Sequence, residues 1–288
     1  MIEGIHHVTA ICGDAQTNVD FYAGVLGMRL VKKTVNFDDP GTYHLYYGDA
    51  AGSPGTILTF FPWPGAARGR AGAGQVLETV LEVPMGSIAD YWRRRLADAG
   101  VAAETREGRL VLSDPDGMVL SLVEVEPSGE GGGSGTVPPE FTVRRIQGVR
   151  LGSLRPDATD RFLADVVEIG APTAMRAASE ELPRGTLGAG AVHHVAFRLA
   201  DDAAQTEWIA RLKKLGASVS PVMDRQYFHS IYFREPGGVL FELATDPPGF
   251  ATDEPLDTLG TRLCLPEWLE PKREEIESLL PKLRAPGG

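Results

Sequence analysis

An internal repeat constrains this chain more than any other feature. The phrase Ile5-His6-His7-Val8-Thr9-Ala10 returns, altered, as Val192-His193-His194-Val195-Ala196-Phe197. Each phrase opens an apolar, β-prone segment, and the pattern around each is alike. The first unit is expected to open with a strand at Gly4–Ile11, followed by a helix capped by Asp14 and stopped by Gly27. Strands then follow around Arg29–Asn36, Thr42–Tyr47 and Thr56–Phe61. The second unit repeats the plan with Val76–Val83, a helix at Met85–Ala99 stopped by Gly100, and strands near Arg109–Ser113 and Met118–Val125. Asp114-Pro115-Asp116-Gly117 makes the hairpin turn between those last two strands. A third unit, Ile146–Leu154 and a helix around Thr159–Val167, is compressed afterwards. The fourth has Val192–Leu199, a helix at Ala203–Leu215 stopped by Gly216, and strands at Ala217–Met223, Phe228–Phe233 and Val239–Ala244. A repeat this long outranks any single motif, so the expected fold is α+β with four βαβββ units.

Glu126 to Glu140, rich in Gly, Pro and Ser and without apolar periodicity, reads as a flexible connector. The expected organisation is therefore an N-terminal domain of two units (1–127), a linker (128–140), a C-terminal domain of two units (141–250) and a tail (251–288). The tail carries an expected surface helix at Glu267–Leu283, with Pro266 at its start. Pro64–Gln75, with Arg68 and Arg70 among glycines and alanines, has the composition of a mobile lid and lacks the strand–helix context of a phosphate loop.

The 288 residues leave room for two ordinary cores. A net charge of −11, with no basic cluster, argues against binding to nucleic acid or to an anionic membrane surface. Cys12 and Cys264 are the only cysteines, so there is no disulfide framework or CxxC zinc signature, and the chain suits a reducing cytoplasm. The first residues lack a basic n-region followed by an apolar h-region, so no secretory signal is expected, and with no run approaching 18 apolar residues no transmembrane helix is expected either. A homo-oligomer is compatible with all of this.

Aligning the units tests which residues can hold a metal. The slot on each first strand is filled by His7, Glu78, Gly148 and His194. The slot on each last strand, past the turn glycine, is filled by Thr59, Ser121 and Glu242, with no counterpart in the short third unit. One complete triad remains: His7, His194 and Glu242. Two imidazoles and one carboxylate form the facial set of non-haem Fe(II) oxygenases, which leaves positions open for substrate and O2. A strand-interior Glu242 without a cation would carry a large desolvation cost. These three ligands can meet only if units one and four build one barrel. Strand alternation sends His6 and His193 to the face opposite their neighbours, whereas Tyr232 shares the parity of Ser230 and so can point inward; His44, within Thr42–Tyr47, is a further candidate to line the pocket.

The segments HHVTAICGDAQTNVDFYAGVLG, LVKKTVNFDDPGTYHLYYGD, GSPGTILTFFP, VHHVAF, YFHSIYFREPGGVLFELATDPPGF and LGTRLCLPEWLEPKREEIESLLPKL span nearly the whole chain. Together they resemble the vicinal oxygen chelate (glyoxalase/bleomycin resistance/extradiol dioxygenase) superfamily, and within it the ring-cleaving hydroquinone 1,2-dioxygenases typified by the 2,6-dichlorohydroquinone enzymes. That resemblance implies two open barrels of paired units and an Fe(II) centre (or Mn(II) or another divalent ion) on His7, His194 and Glu242. It places His6, His193, Arg225 and Tyr232 beside the substrate as catalytic residues, with Thr9 close to the metal; His44 joins Thr9 as a substrate-binding candidate. The expected activity is O2-dependent opening of para-dihydroxy aromatic rings. The alternatives are a catechol-type extradiol dioxygenase using the same triad, and a glyoxalase-like isomerase or lyase, whose sites take more carboxylates.

Overall fold

The computed structural model describes residues 1–126, 132–167, 177–178 (backbone) and 182–286. The first unit supplies β1 (Ile5–Cys12), β2 (Arg29–Asn36), β3 (Asp39–Gly48) and β4 (Ile57–Pro62); the second supplies β5 (Gln75–Pro84), β6 (Ala103–Arg106), β7 (Arg109–Ser113) and β8 (Val119–Val125). The third contributes β9 (Ile146–Gly152) and the two-residue β10 (Ala177–Ala178). The fourth contributes β11 (Val192–Leu199), β12 (Met223–Asp224), β13 (Phe228–Arg234) and β14 (Leu240–Pro248). They form two curled sheets, ordered β12-β13-β14-β11-β1-β4-β3-β2 and β10-β9-β5-β8-β7-β6. Units one and four thus share one sheet and units two and three the other, as the ligand set requires.

The register reproduces the unit alignment residue by residue. Thr9, two beyond His7, pairs with Thr59; Val80, two beyond Glu78, pairs with Ser121; Ala196, two beyond His194, pairs with Glu242. Across the pseudo-twofold, Thr9 faces His194 as Val80 faces Gly148. The second sheet therefore keeps the frame of the first with other side chains in it. There Glu78 is neutralised by two guanidinium groups, Arg109 Nη1 at 3.2 Å and Arg150 Nη1 at 2.9 Å.

Local chemistry explains the helices. The first, α1 (Ala15–Val19), is capped by the Asp14 carboxylate accepting from Thr17 N at 2.7 Å, and continues as a π-helical stretch to Val25. Gly27 ends it at φ +70°, where an added Cβ would lie 2.4 Å from Val137. The second-unit helix is π-helical over Ile88–Trp92 and then α2 (Arg93–Asp98); the third is α3 (Pro156–Phe162) with a π extension over Leu163–Val167. The fourth, α4 (Asp202–Lys214), is capped by Asp201 accepting from Ala204 N. One continuous apolar core joins the inner faces of both sheets to these helices, with Tyr22, Trp92, Phe241 and Leu212 fully buried in it.

Four expectations are corrected. Pro64–Gln75 is not a lid: Gly69 N, Arg70 N and Ala73 N donate to Ala189 O, Thr186 O and Pro183 O, binding this segment to 183–189 as a double strap between the sheets. The Gly/Pro/Ser-rich connector lies outside the described residues over 127–131, but 132–140 are docked, with Val137 buried and Ser134 Oγ and Thr136 Oγ1 donating to Ala23 O. The strand expected over Ala217–Met223 shrinks to β12, because Pro221 has no N–H to give to a ladder. In the tail, the expected long helix is a 3-10 turn at Glu270–Lys272 followed by α5 (Arg273–Leu279), bounded by Pro271 and Pro281, which cannot sit inside a regular helix.

The tail closes the open edge of β2. Cys264 N donates to Lys33 O at 2.9 Å, and Lys32, wholly buried, places Nζ 2.5 Å from both Asp253 Oδ1 and Glu254 Oε2. Tyr227 OH donates to the other Asp253 oxygen at 2.9 Å. Gly260 passes so close to β2 that an added Cβ would lie 1.8 Å from the Leu30 carbonyl oxygen, and its φ is +75°. Gly260→Ala is expected to cost about 1–3 kcal/mol from the backbone conformation alone. Urea unfolding of the two proteins measures it; a change under half a kcal/mol would mean that the tail docks more loosely than described.

Candidate metal centre

Three strands bring the triad together. His7 on β1, His194 on β11 and Glu242 on β14 are all buried, and one donor atom from each lies within 4.8 Å of the others. His7 Nε2 and His194 Nε2 are 3.3 Å apart, and Glu242 Oε2 lies 3.4 Å from the first and 2.8 Å from the second. Donor atoms held about 2.0–2.2 Å from a single ion stand roughly 3 Å from one another. Despite these short separations Glu242 Oε2 makes no hydrogen bond, whereas Oε1 accepts one from Ser230 Oγ. A buried carboxylate oxygen without a hydrogen bond beside two converging imidazole nitrogens fits a divalent cation. Burial pushes His194 toward its neutral, ligating form, while His7 and His194 hold the Glu242 carboxyl well below the usual range against the opposing effect of its burial. Among the described residues a second cluster of potential ligands, Asp253, Glu254 and Cys264, already has Lys32 Nζ at its centre.

The neighbouring histidines show what alternation alone misses. The β1–β11 ladder steps from Ile5↔Phe197 to His7↔Ala196, and from Thr9↔His194 to Ala10↔Val192. His6 and His193 are therefore the extra residues of two β-bulges, which re-aim a side chain at the cost of a ladder bond. Their Nδ1 atoms lie 2.9 Å from His7 Nδ1 and 2.8 Å from His194 Nδ1. Burial above all lowers the pKa of each to about 3, so both are neutral at pH 7 and fit to accept a hydrogen bond from a ligating imidazole. The second sheet has the same bulges at Leu77 and Gln147. His193 lines the cavity in front of the triad; His6 lies behind it, packed on Phe228.

That cavity has a volume of about 130 Å³. His7, His194 and Thr9 lie at its base, and Arg225 and Tyr232 form one wall. Tyr232 pairs with Glu242 across β13–β14, and Arg225 Nε donates to its hydroxyl at 3.3 Å. Burial, followed by the charge of Glu242, raises the Tyr232 hydroxyl above its ordinary range and keeps it a donor. The opposite wall is a hydrogen-bonded chain: Tyr46 OH lies 2.9 Å from His44 Nδ1, His44 Nε2 lies 2.8 Å from Thr59 Oγ1, and Thr59 Oγ1 donates to Thr9 Oγ1 at 2.9 Å. Thr59 occupies the slot equivalent to Glu242, so the fourth corner of the frame holds a hydroxyl rather than a carboxylate. Sequence reasoning missed Asn36, Phe37 and Asp38 on the β2–β3 turn, together with Phe61 and Trp63, all of which line the cavity. Phe61 has the strand parity of Thr59 and was findable by alternation. Asp38, 3.4 Å from Arg225 Nη1, joins the first unit to the fourth across the mouth and leaves no local signature.

Such a fold and frame define a class. The Glyoxalase/Bleomycin resistance protein/Dioxygenase superfamily model matches residues 4–243, and the chain belongs to that superfamily. It is 46% identical to the Bacillus subtilis (strain 168) protein named "Putative ring-cleaving dioxygenase MhqO", over 96% of both chains. It is 35% identical to the "Chlorohydroquinone/hydroquinone 1,2-dioxygenase" of Sphingobium indicum, over 96% of this chain and 95% of that one. The crystal structure of a putative dioxygenase from Bacillus subtilis superposes with a TM-score of 0.89 at 44% identity, covering 99% of this chain and 98% of its own. Glyoxalase I from Zea mays shares the fold alone, with a TM-score of 0.59 at 14% identity over 84% of this chain and 92% of its own.

Proposed function

We propose that the protein is an Fe(II)-dependent dioxygenase that opens para-dihydroxy aromatic rings with O2. The observation that carries this reading is the three-donor cluster, with a hydroxyl and no carboxylate at its fourth corner, set at the base of a cavity walled by Arg225, Tyr232, His193 and His44. The relatives named as ring-cleaving and hydroquinone dioxygenases supply the substrate class.

A ferrous ion on His7, His194 and Glu242 would supply the electron-transfer route that lets an aromatic ring react with O2. The chain's own residues do the rest. A hydroquinone has opposed hydroxyls, so one faces the triad and the other must find partners across the cavity. Arg225, held by Tyr232 OH and Asp38, presents a fixed cation for that oxygen. His193 faces the cavity with its pKa lowered to about 3, too weak a base to take a phenolic proton; with Nδ1 turned to His194 its own proton lies on Nε2, which suits it to donate a hydrogen bond to a phenolic oxygen. Phe61, Trp63 and Phe228 exclude water and present ring faces to an aromatic guest. A glyoxalase-like site with more carboxylates is not favoured, because Glu78 and Ser121 belong to the other sheet.

Oxygen uptake after anaerobic Fe(II) loading, against a panel of hydroquinones and catechols, tests the reading. Hydroquinone-dependent uptake with formation of a ring-opened acid is expected; faster catechol turnover would move the assignment to a catechol-cleaving enzyme. Arg225→Ala and Tyr232→Phe are expected to retain iron and to lower kcat/KM by roughly 10- to 1000-fold, as loss of a positioning or polarising contact does. Iron content and steady-state kinetics on the same samples separate the two effects.

A further inference from the structure

Two ionised side chains meet at the mouth of the catalytic cavity. Among the described residues Arg225 is the one guanidinium or ammonium in its lining, and Asp38 the one carboxylate. Asp38 comes from the β2–β3 turn of the first unit, Arg225 from the segment between β12 and β13 of the fourth. Asp38 N donates to Asn36 Oδ1 at 3.0 Å, which fixes the turn. The Asp38 side chain is 69% exposed and that of Arg225 20% exposed, so the cation is the more deeply set of the two. A guanidinium has two edges on which a carboxylate can take a parallel pair of N–H bonds. Here one donor of each edge is engaged. Nε donates to Tyr232 OH at 3.3 Å, and Nη1 faces Asp38 Oδ2 at 3.4 Å. Nη2, common to both edges, is the donor that remains. One donor serves a hydroxyl oxygen. A carboxylate seeks two, and to take them it would lie against the Asp38 charge. Asp39 follows on the same exposed turn, and the chain's net charge of −11 adds to the repulsion.

We propose that Asp38 determines the charge of the ring this site accepts: by occupying Nη1 of Arg225 and placing an anion on the rim, it admits uncharged para-dihydroxy rings and turns away those that bear a carboxylate. The inference deepens the proposed ring-opening activity and rests on it for the ring itself. The filter is separate from the support of Arg225, whose guanidinium also lies over the Tyr232 ring, 5.5 Å from its centroid, and keeps that contact without Asp38. Without the Asp38 charge, Nη1 and Nη2 together would form a free edge, and the same cation would favour the ring carboxylate that the wild type rejects.

The test compares 2,5-dihydroxyphenylacetate with its methyl ester, which share a ring and nearly the same bulk and differ in charge. Each is titrated calorimetrically into the full-length Fe(II)-loaded protein without O2, and each is then assayed for turnover. The wild type is expected to bind the ester more tightly. Asp38→Asn, a change of charge with little change of shape at an exposed position, should narrow the acid-to-ester ratio of dissociation constants by about tenfold. That is the scale of one charge-assisted hydrogen bond gained by the acid at a hydrated rim. Asp38→Glu should restore the preference for the ester. Raising the ionic strength from about 0.01 M to about 1 M should narrow the ratio in the wild type and not in Asp38→Asn. An unchanged ratio in Asp38→Asn overturns the inference, even where both ligands weaken together, since Asp38 would then only prop Arg225. Failure of that variant to bind the acid overturns it as well. Turnover separates this inference from the activity it rests on. If neither ring is opened while the binding ratio shifts, the ring-opening activity fails and the charge filter stands.

Discussion

Glu242→Gln protein is expected to lose its metal while keeping its fold. Glu242 is the one anionic donor in the triad, is wholly buried, and has one oxygen unpaired beside two imidazole nitrogens. Removing an outer partner of a metal ligand costs about 10- to 100-fold in affinity, and removing the anionic ligand itself should cost at least that upper figure. The two halves of the expectation have different signs. Without metal, the variant should melt at or above the wild-type temperature, because a neutral amide is easier to bury than a carboxylate. With metal, the wild type should gain stability by mass action and the variant should not. Fe(II) or Mn(II) titration followed by thermal melts reads both. Equal metal stabilisation of the two proteins would remove Glu242 from the ligand set.

The second large effect lies far from the chemistry. Lys32→Ala is expected to destabilise the fold by about 3–5 kcal/mol, the cost of removing one partner from a buried ion pair. Lys32 has no solvent exposure and bridges Asp253 and Glu254 at 2.5 Å, so its loss leaves Glu254, 2% exposed, with backbone N–H groups and only the Arg262 guanidinium at 3.9 Å for a cation. The pH dependence has a definite sign. Glu254 is held below its ordinary range: burial pushes it up, but the hydrogen bond and charge of Lys32 outweigh this. A depressed folded-state value gives stability that is present above the unfolded carboxylate pKa, about 4.3, and is lost as pH falls through the folded one. The gap between wild type and variant in urea should therefore be widest near neutrality and shrink below about pH 4. A gap independent of pH would mean that lost packing, not the ion pair, is responsible.

Much of the site was legible because the repeat does the geometry. The slots at His7, Glu78 and His194 each lie two residues before the position that the ladders pair with Thr59, Ser121 and Glu242, since strand period and turn length are fixed by the backbone. The bulges were not legible. Alternation sends His6 and His193 away from their neighbours, and nothing local in His-His-Val announces an inserted residue. Lys32 was equally hidden. In Leu30-Val31-Lys32-Lys33 it reads as an edge-strand charge, and only the return of the chain at Asp253 and Glu254, more than two hundred residues later, makes an interior position tolerable. Proline misled in the tail, where the Leu and Ile spacing of a long helix outweighed two residues that cannot continue one.

The pairing of first unit with last has a consequence for how the protein comes into being. At roughly 5–20 residues per second, β1 leaves the ribosome about 10–50 seconds before β11 and β14 exist. Meanwhile units two and three emerge together and can close their own sheet from neighbouring segments. The first unit, with β4 on one side of β1, waits with the other edge of β1 bare, the kind of edge that invites pairing with a stranger. His7 then has no companion ligand, and a nascent chain interrupted anywhere before Glu242 holds no complete triad. On the proposed reading, the three ligands would be complete only once synthesis had run as far as Glu242.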